Sequence, residues 1–185
     1  MKDFLVLCAT KSEFNQVKEI LPNEYKDKVK LIGIGKVQAA INTAAIIRDF
    51  PSAALINVGF CGATTDFKIG DVITDPKFIK DGDYSTAPFD VGDKAIKKWE
   101  IKNGADITLI TRDYVQTAPT AGDIKTIYDM EFSAIFETVK SLAPKTEIHC
   151  VKIVSDIVGD KSQKETYENA TIDRRVLDNI LKILN

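Results

Sequence analysis

The sequence predicts an α/β layer fold, read as one domain over residues 1–185. Three observations carry this expectation. Continuous apolar runs of strand length recur along the chain, helix-start signals follow several of them, and segments of helical period lie between and after them. Taken in order, Phe4-Leu5-Val6-Leu7-Cys8-Ala9 has the pattern of a strand buried on both faces, and Thr10-Lys11-Ser12-Glu13 reads as a capping box. The helix that follows carries Phe14, Val17, Ile20 and Leu21 at helical spacing and stops at Pro22.

A second unit predicts a strand over Val29 to Ile34, a Gly33-Ile34-Gly35 turn and a helix from about Lys36 to Arg48. Next, the strand Ala53 to Val58 runs into Gly59-Phe60-Cys61-Gly62, where two glycines allow either a sharp turn or a close approach of backbone to a ligand. Ile69 to Ile73 reads as a short strand, and Asp75 to Asn103 as turns with short strands. Ile107 to Thr111 is a further strand, Ile124 to Leu142 a long helix, and Ile148 to Val154 a strand ending in Ser155-Asp156. Val176, Leu177, Ile180, Leu181 and Leu184 predict a closing amphipathic helix over Ile172 to Leu184. In such folds a site is expected at the carboxyl ends of the strands.

The composition, 44% hydrophobic and 28% charged with 10 Gly and 6 Pro, excludes collagen-like, low-complexity and disordered classes. Net charge is -2, so no excess basicity points to nucleic acid or to an anionic membrane surface; a small molecule or another protein chain is the expected partner. The 3 cysteines, Cys8, Cys61 and Cys150, are far apart and include no CxxC pair, which argues against a disulfide framework or zinc knuckle and for reduced thiols. The N-terminus lacks a long apolar h-region and no apolar stretch reaches the ~18 residues of a membrane span, so the chain reads as cytoplasmic.

Gly33-Ile34-Gly35-Lys36-Val37-Gln38 invites a dinucleotide-binding reading, but Gln38 stands where GxGxxG has its third glycine, and no GxxxxGK[ST] occurs. Three acids near strand ends remain as candidates: Glu13, Glu131 and Asp156. Separated acids can divide base, acid and hydroxyl-binding work. Each also has a purely structural reading, Glu13 as the last residue of the capping box, Asp156 as a helix cap, and Glu131 as an exposed helix residue. His149, the sole histidine, lies in an apolar strand and reads as structural.

Five segments, Gly33 to Ala40, Asn57 to Gly62, Lys68 to Val72, Asp129-Met130-Glu131 and Val154-Ser155-Asp156, occur in the order characteristic of the nucleoside phosphorylase/nucleosidase superfamily. The chain resembles most closely the 5′-methylthioadenosine/S-adenosylhomocysteine nucleosidases, over most of its length. That resemblance implies a three-layer, mixed-sheet nucleoside phosphorylase-like fold with a pocket over the strand ends. It implies hydrolysis of a purine nucleoside with release of adenine, as in methionine salvage, by a possible homodimer using neither cofactor nor metal. Glu13 would activate water, and Asp156, steadied by Ser155, would protonate the purine at N7. Met130 and Glu131 would hold the ribose, Ile34 would line the sugar pocket, and Phe60 and Tyr114 would flank the substrate.

The sequence also departs from the family pattern. Phe60 stands where a small residue is common and is expected to intrude on the sugar or water. Lys152 stands where Arg is usual and lacks its planar fork. Thr10 replaces a pocket methionine, and Val115 aligns with a base-packing phenylalanine, beside Tyr114. Segments after the first helix and between Phe89 and Asp106 are shortened, the latter leaving room for one small helix at most. Only Lys11 is basic in Leu7 to Asn15 and no residue is in Phe60 to Phe67, so hydrolysis is favoured over phosphorolysis. A phosphorylase, a futalosine-type hydrolase and a non-catalytic purine binder remain as alternatives.

Overall fold

A computed structural model of the chain describes residues 3–83, 98–120 and 122–185. β1 (Phe4–Cys8) is buried along its whole length, as its unbroken apolar run predicts, and feeds α1 (Lys11–Ile20). After a 3₁₀ turn, β2 (Val29–Leu31) leads into α2 (Lys36–Asp49). β3 (Ala54–Ala63), β4 (Val72–Thr74), β5 (Pro76–Asp81), β6 (Lys98–Glu100), β7 (Ala105–Thr111) and β8 (Thr126–Asp129) precede α3 (Phe132–Leu142). The chain closes with β9 (Ile148–Ile157), α4 (Gln163–Glu168) and α5 (Arg174–Leu184).

The strands form one mixed sheet in the order β2-β1-β3-β8-β7-β5-β6, with β9 pairing both β3 and β4. β3 is its branch point. Along its first half it lies parallel to β1 and β9, and at Gly62 and Ala63 it pairs antiparallel with β8 while keeping β9. The sheet is thereby partly closed around β3. Alternation along the strands sends Leu5, Leu7 and Leu55 into one core with Phe132, Ile135 and Val139 of α3 and Ala39 and Ile47 of α2. Phe4, Val6, Ile56 and Val58 enter a second core with Val17 of α1 and Val176, Ile180 and Leu184 of α5. Helices therefore cover both faces, giving the expected three layers.

Several boundaries differ from the sequence expectation, each for a physical reason. The long helix expected over Ile124 to Leu142 is a strand followed by a shorter helix. Thr126-Ile127-Tyr128 is β-favouring and extends the sheet, and Asp129 then caps α3 by accepting the Phe132 amide at 2.9 Å. The sharp turn allowed at Gly59 to Gly62 is absent, because β3 continues through both glycines with only a register shift against β9 between Cys61 and Gly62. The strands expected over Val29 to Ile34 and Ile69 to Ile73 shrink or shift to Val29–Leu31 and Val72–Thr74. α4 has no apolar periodicity and was not anticipated. The small-helix expectation for Phe89 to Asp106 falls outside the described residues over 89–97, and beyond them β6 and the start of β7 occur.

One buried ion pair joins the two halves of the sheet. Lys152 on β9 reaches Asp129 at the end of β8 at 2.7 Å, the two side chains being 1% and 0% exposed. Asp129 also accepts the Thr111 hydroxyl from β7 at 2.6 Å. Burial by itself disfavours the Lys152 ammonium, yet Asp129, with Glu131 behind it, raises its pKa. Removing one partner of such a pair leaves an uncompensated buried charge, which costs ~3–5 kcal/mol. Lys152→Met is therefore expected to lose stability of that order in urea unfolding, and Lys152→Met/Asp129→Asn to lose less. A single variant as stable as wild type would show that the pair is dispensable.

Candidate active site

A cavity of about 760 Å³ opens over the carboxyl ends of β1, β3, β8 and β9. It is within the ~300–1,000 Å³ range of small-molecule sites. Glu13, Ile34 and Phe60 line it from one side, Tyr114, Met130 and Glu131 from another, and Ser155 and Asp156 from the end of β9. The structure thus brings together all eight residues singled out from the sequence, across 143 positions of chain from Glu13 to Asp156.

Glu13 sits here while also completing the capping box. Thr10 Oγ1 accepts the Glu13 amide at 3.1 Å, and Glu13 Oε2 accepts the amides of Thr10 at 2.9 Å and Ala9 at 3.1 Å. Its other oxygen, Oε1, accepts the Phe60 amide at 2.9 Å. A carboxylate has about four acceptor positions, so three backbone donors orient the group and leave one for a ligand or water. The close approach requires Gly59, because a Cβ there would fall 2.6 Å from Glu13 Oε1. The capping and pocket readings of Glu13 hold together.

Glu131 is the N-cap residue of α3 but gives no side-chain cap, since Asp129 performs that task. Its side chain turns to the cavity, where Oε1 accepts the Gly35 amide at 2.9 Å. It is buried, so the exposed-helix alternative does not apply. Burial, with Asp129 nearby, pushes its carboxyl up to about 7, against the opposing pull of Lys152. Asp156 accepts the Ser155 hydroxyl at 2.5 Å on Oδ1 and the Gln163 amide nitrogen at 2.7 Å on Oδ2. Gly62 lets it lie flush with β3.

The Phe60 ring packs edge-on against Tyr167, 6.2 Å between centroids, and the cavity persists beside it. Tyr114 is anchored by Arg112, which donates to its hydroxyl at 2.8 Å. Burial raises the Tyr167 phenol pKa, and Glu13, Glu131 and Asp156 push it further in the same direction, which marks the cavity as electronegative. Sequence reasoning missed Gln116, Gln163 and Tyr167. The available signal was Asp160 and Ser162, whose turn, with Asp160 Oδ1 accepting the Ser162 amide at 2.8 Å, precedes α4.

Other candidates lie elsewhere or are neutralised. His149 contacts Asp75 at 2.8 Å, away from the cavity. Cys8, Cys61 and Cys150 are buried free thiols whose pKa burial raises. Lys36 is held between Asp81 at 2.8 Å, Asp83 at 2.9 Å and Asp113 at 3.4 Å. Among the described residues no group of three or more His, Cys, Asp or Glu is arranged to hold a metal ion, and no helix is long and apolar enough to cross a membrane.

The sequence model of the Phosphorylase superfamily matches residues 24–97. A comparison with curated proteins finds no match. Among solved structures, 5′-methylthioadenosine/S-adenosylhomocysteine nucleosidase of Neisseria meningitidis in complex with methylthio-immucillin-A is 22% identical, with TM-score 0.72 over 91% of each chain. S-adenosylhomocysteine nucleosidase of Streptococcus pyogenes with 5-methylthiotubericidin is 17% identical, with TM-score 0.72 over 100% of this chain and 98% of that one. Futalosine hydrolase of Helicobacter pylori is 14% identical, with TM-score 0.76 over 98% and 97%. The chain has the nucleoside phosphorylase-like fold of these structures, with its acid-lined cavity at the strand ends.

Proposed function

We propose that the protein hydrolyses the N-glycosidic bond of a purine nucleoside and releases adenine, with a methylthioadenosine or S-adenosylhomocysteine type of substrate. The observation that carries this reading is the convergence of Glu13, Glu131 and Asp156 on one cavity, each oriented by its own hydrogen bonds. A glycosidic C–N bond breaks through an oxocarbenium-like state, which needs a protonated leaving base and water activated on the opposite face. Asp156 donates its proton to N7 of the base, Ser155 steadying the carboxylate. Glu13 uses its remaining acceptor position to orient and deprotonate water. Glu131 accepts hydrogen bonds from the ribose hydroxyls, while Met130 packs on the sugar and Ile34, Phe60 and Tyr114 enclose the substrate.

Hydrolysis is preferred to phosphorolysis because, among the described residues, no buried cation of the site is left to grip phosphate. Lys152 is committed to Asp129 and Lys36 to three aspartates, and the basic side chains lining the cavity, Lys161 and Lys164, are exposed. A 6-aminopurine is preferred to a 6-oxopurine because an aspartic acid can donate to N7 and accept from N6. Such a substrate belongs in methionine salvage in the cytoplasm. A homodimer is supported by the start of α2, where Val37 and Ile41, one helical turn apart, are 69% and 60% exposed beside Ile34.

Four outcomes are expected. Product analysis in phosphate-free buffer yields adenine and the free sugar; sugar 1-phosphate formation with a requirement for phosphate would replace hydrolysis by phosphorolysis. Glu13→Gln lowers kcat by ~10²-fold or more with substrate binding retained, and unchanged turnover would return Glu13 to its capping role alone. Ribose hydroxyls bind the ionised form of Glu131, whose pKa in the free protein is raised to about 7, so nucleoside affinity rises with pH up to about 7 and then levels. Glu131→Gln flattens that profile in calorimetry, and a profile unchanged by the substitution would remove Glu131 from the sugar site. Sedimentation of wild type gives a dimer and of Val37→Glu/Ile41→Glu a monomer, whereas a monomeric wild type would discard the interface.

A further inference from the structure

Gln163, the first residue of α4, turns its carboxamide into the cavity rather than to solvent. Its Nε2 lies 2.7 Å from Asp156 Oδ2 and 2.7 Å from the backbone carbonyl of Gln116. An amide NH₂ has two N–H bonds in a plane, so one nitrogen donates to both acceptors. Ser155 occupies the other oxygen of Asp156. Withdrawal of Gln163 would therefore leave a carboxylate oxygen and a carbonyl oxygen facing the cavity, both within reach of one nitrogen. Gln116, which lines the cavity, carries a further buried acceptor, its side-chain Oε1, with no donor among the described residues.

A pair of acceptors spaced for one planar NH₂ matches the exocyclic amine of an aminopurine. We propose that Gln163 stands in for that amine in the ligand-free protein, satisfying both acceptors until a base displaces it. The stand-in keeps two partly buried acceptors paired, where bare acceptors are costly. Its removal is mechanically easy. α4 is 6 residues long and contributes no buried residue, so a small displacement of the segment costs little beyond the Tyr167 contact with Phe60. The side chain thereby competes with the base, and affinity at this end of the site is reduced by the fraction of molecules in which the bridge is closed.

This inference rests on the proposal that a purine binds against Asp156, and calorimetry with free adenine separates the two. Gln163→Ala and Gln163→Leu, the second keeping the bulk but losing both N–H donors, are expected to bind adenine about tenfold more tightly than wild type if the bridge closes in about nine molecules of ten. A contact with only a structural role would not produce tighter binding on removal. Wild type that binds adenine as well as or better than both variants overturns the inference and leaves the proposed function standing. A gain in Gln163→Ala alone traces to volume and overturns the assignment to hydrogen bonding. Binding of neither adenine nor nucleoside by any of the three proteins defeats the purine site itself, and the inference with it.

Discussion

The geometry of the cavity depends on the buried pair between Lys152 and Asp129. Lys152 lies four residues before Asp156 on β9, and Asp129 two residues before Glu131. Their contact fixes the end of β9 against the end of β8, and hence Asp156 against Glu131. Asp129 does three things at once, accepting from Lys152, from the Thr111 hydroxyl and from the Phe132 amide at the start of α3. Because it caps the helix, the neighbouring Glu131 is released to face the cavity. A lysine suffices here although it presents a point charge rather than a fork, since the remaining acceptor positions of Asp129 are filled by neutral donors.

Electrostatically, the site gathers negative charge where positive charge would develop. Glu13, Glu131 and Asp156 face one space, and the buried Lys152 behind them is already paired with Asp129. In the proposed hydrolysis such a field would favour a cationic sugar ring and a protonated base over an anionic nucleophile. Burial is the first cause of the raised Glu131 carboxyl and the raised Tyr167 phenol, and neighbouring carboxylates, Asp129 for Glu131 and all three acids for Tyr167, add to it. Preorganisation comes mainly from backbone amides, those of Ala9, Thr10, Phe60 and Gly35, which need no reorientation as charge moves.

Much of this was legible in the sequence, and unevenly so. β1, β3, β9 and α5 followed from apolar runs and heptad-like spacing, because burial on one or two faces writes directly into side-chain type. Ile124 to Leu142 misled because an apolar stretch with polar interruptions fits both periods, and only the pairing of Thr126–Asp129 with β7 decides for a strand. Glu13, Glu131 and Asp156 had local structural explanations that competed with any role in a site, and what raised them was the order of five motifs. Gln163 and Tyr167 were harder to find: they act across space, through Asp156 and Phe60, and their own segment carries no apolar periodicity, only the Asp160 and Ser162 turn before it.

The double duty of Glu13 bears on how such chains diverge. Its side chain closes the capping box that starts α1, and an N-terminal cap of this kind is worth ~0.5–2 kcal/mol to a helix. A lineage that abandoned turnover would still be penalised, at the level of folding, for replacing it. A glutamate at this position is therefore favoured by the folding of the first helix whether or not it also serves chemistry. Asp156 makes no comparable contribution to a helix cap, so of the two acids its replacement would reflect chemistry more and folding of a helix less.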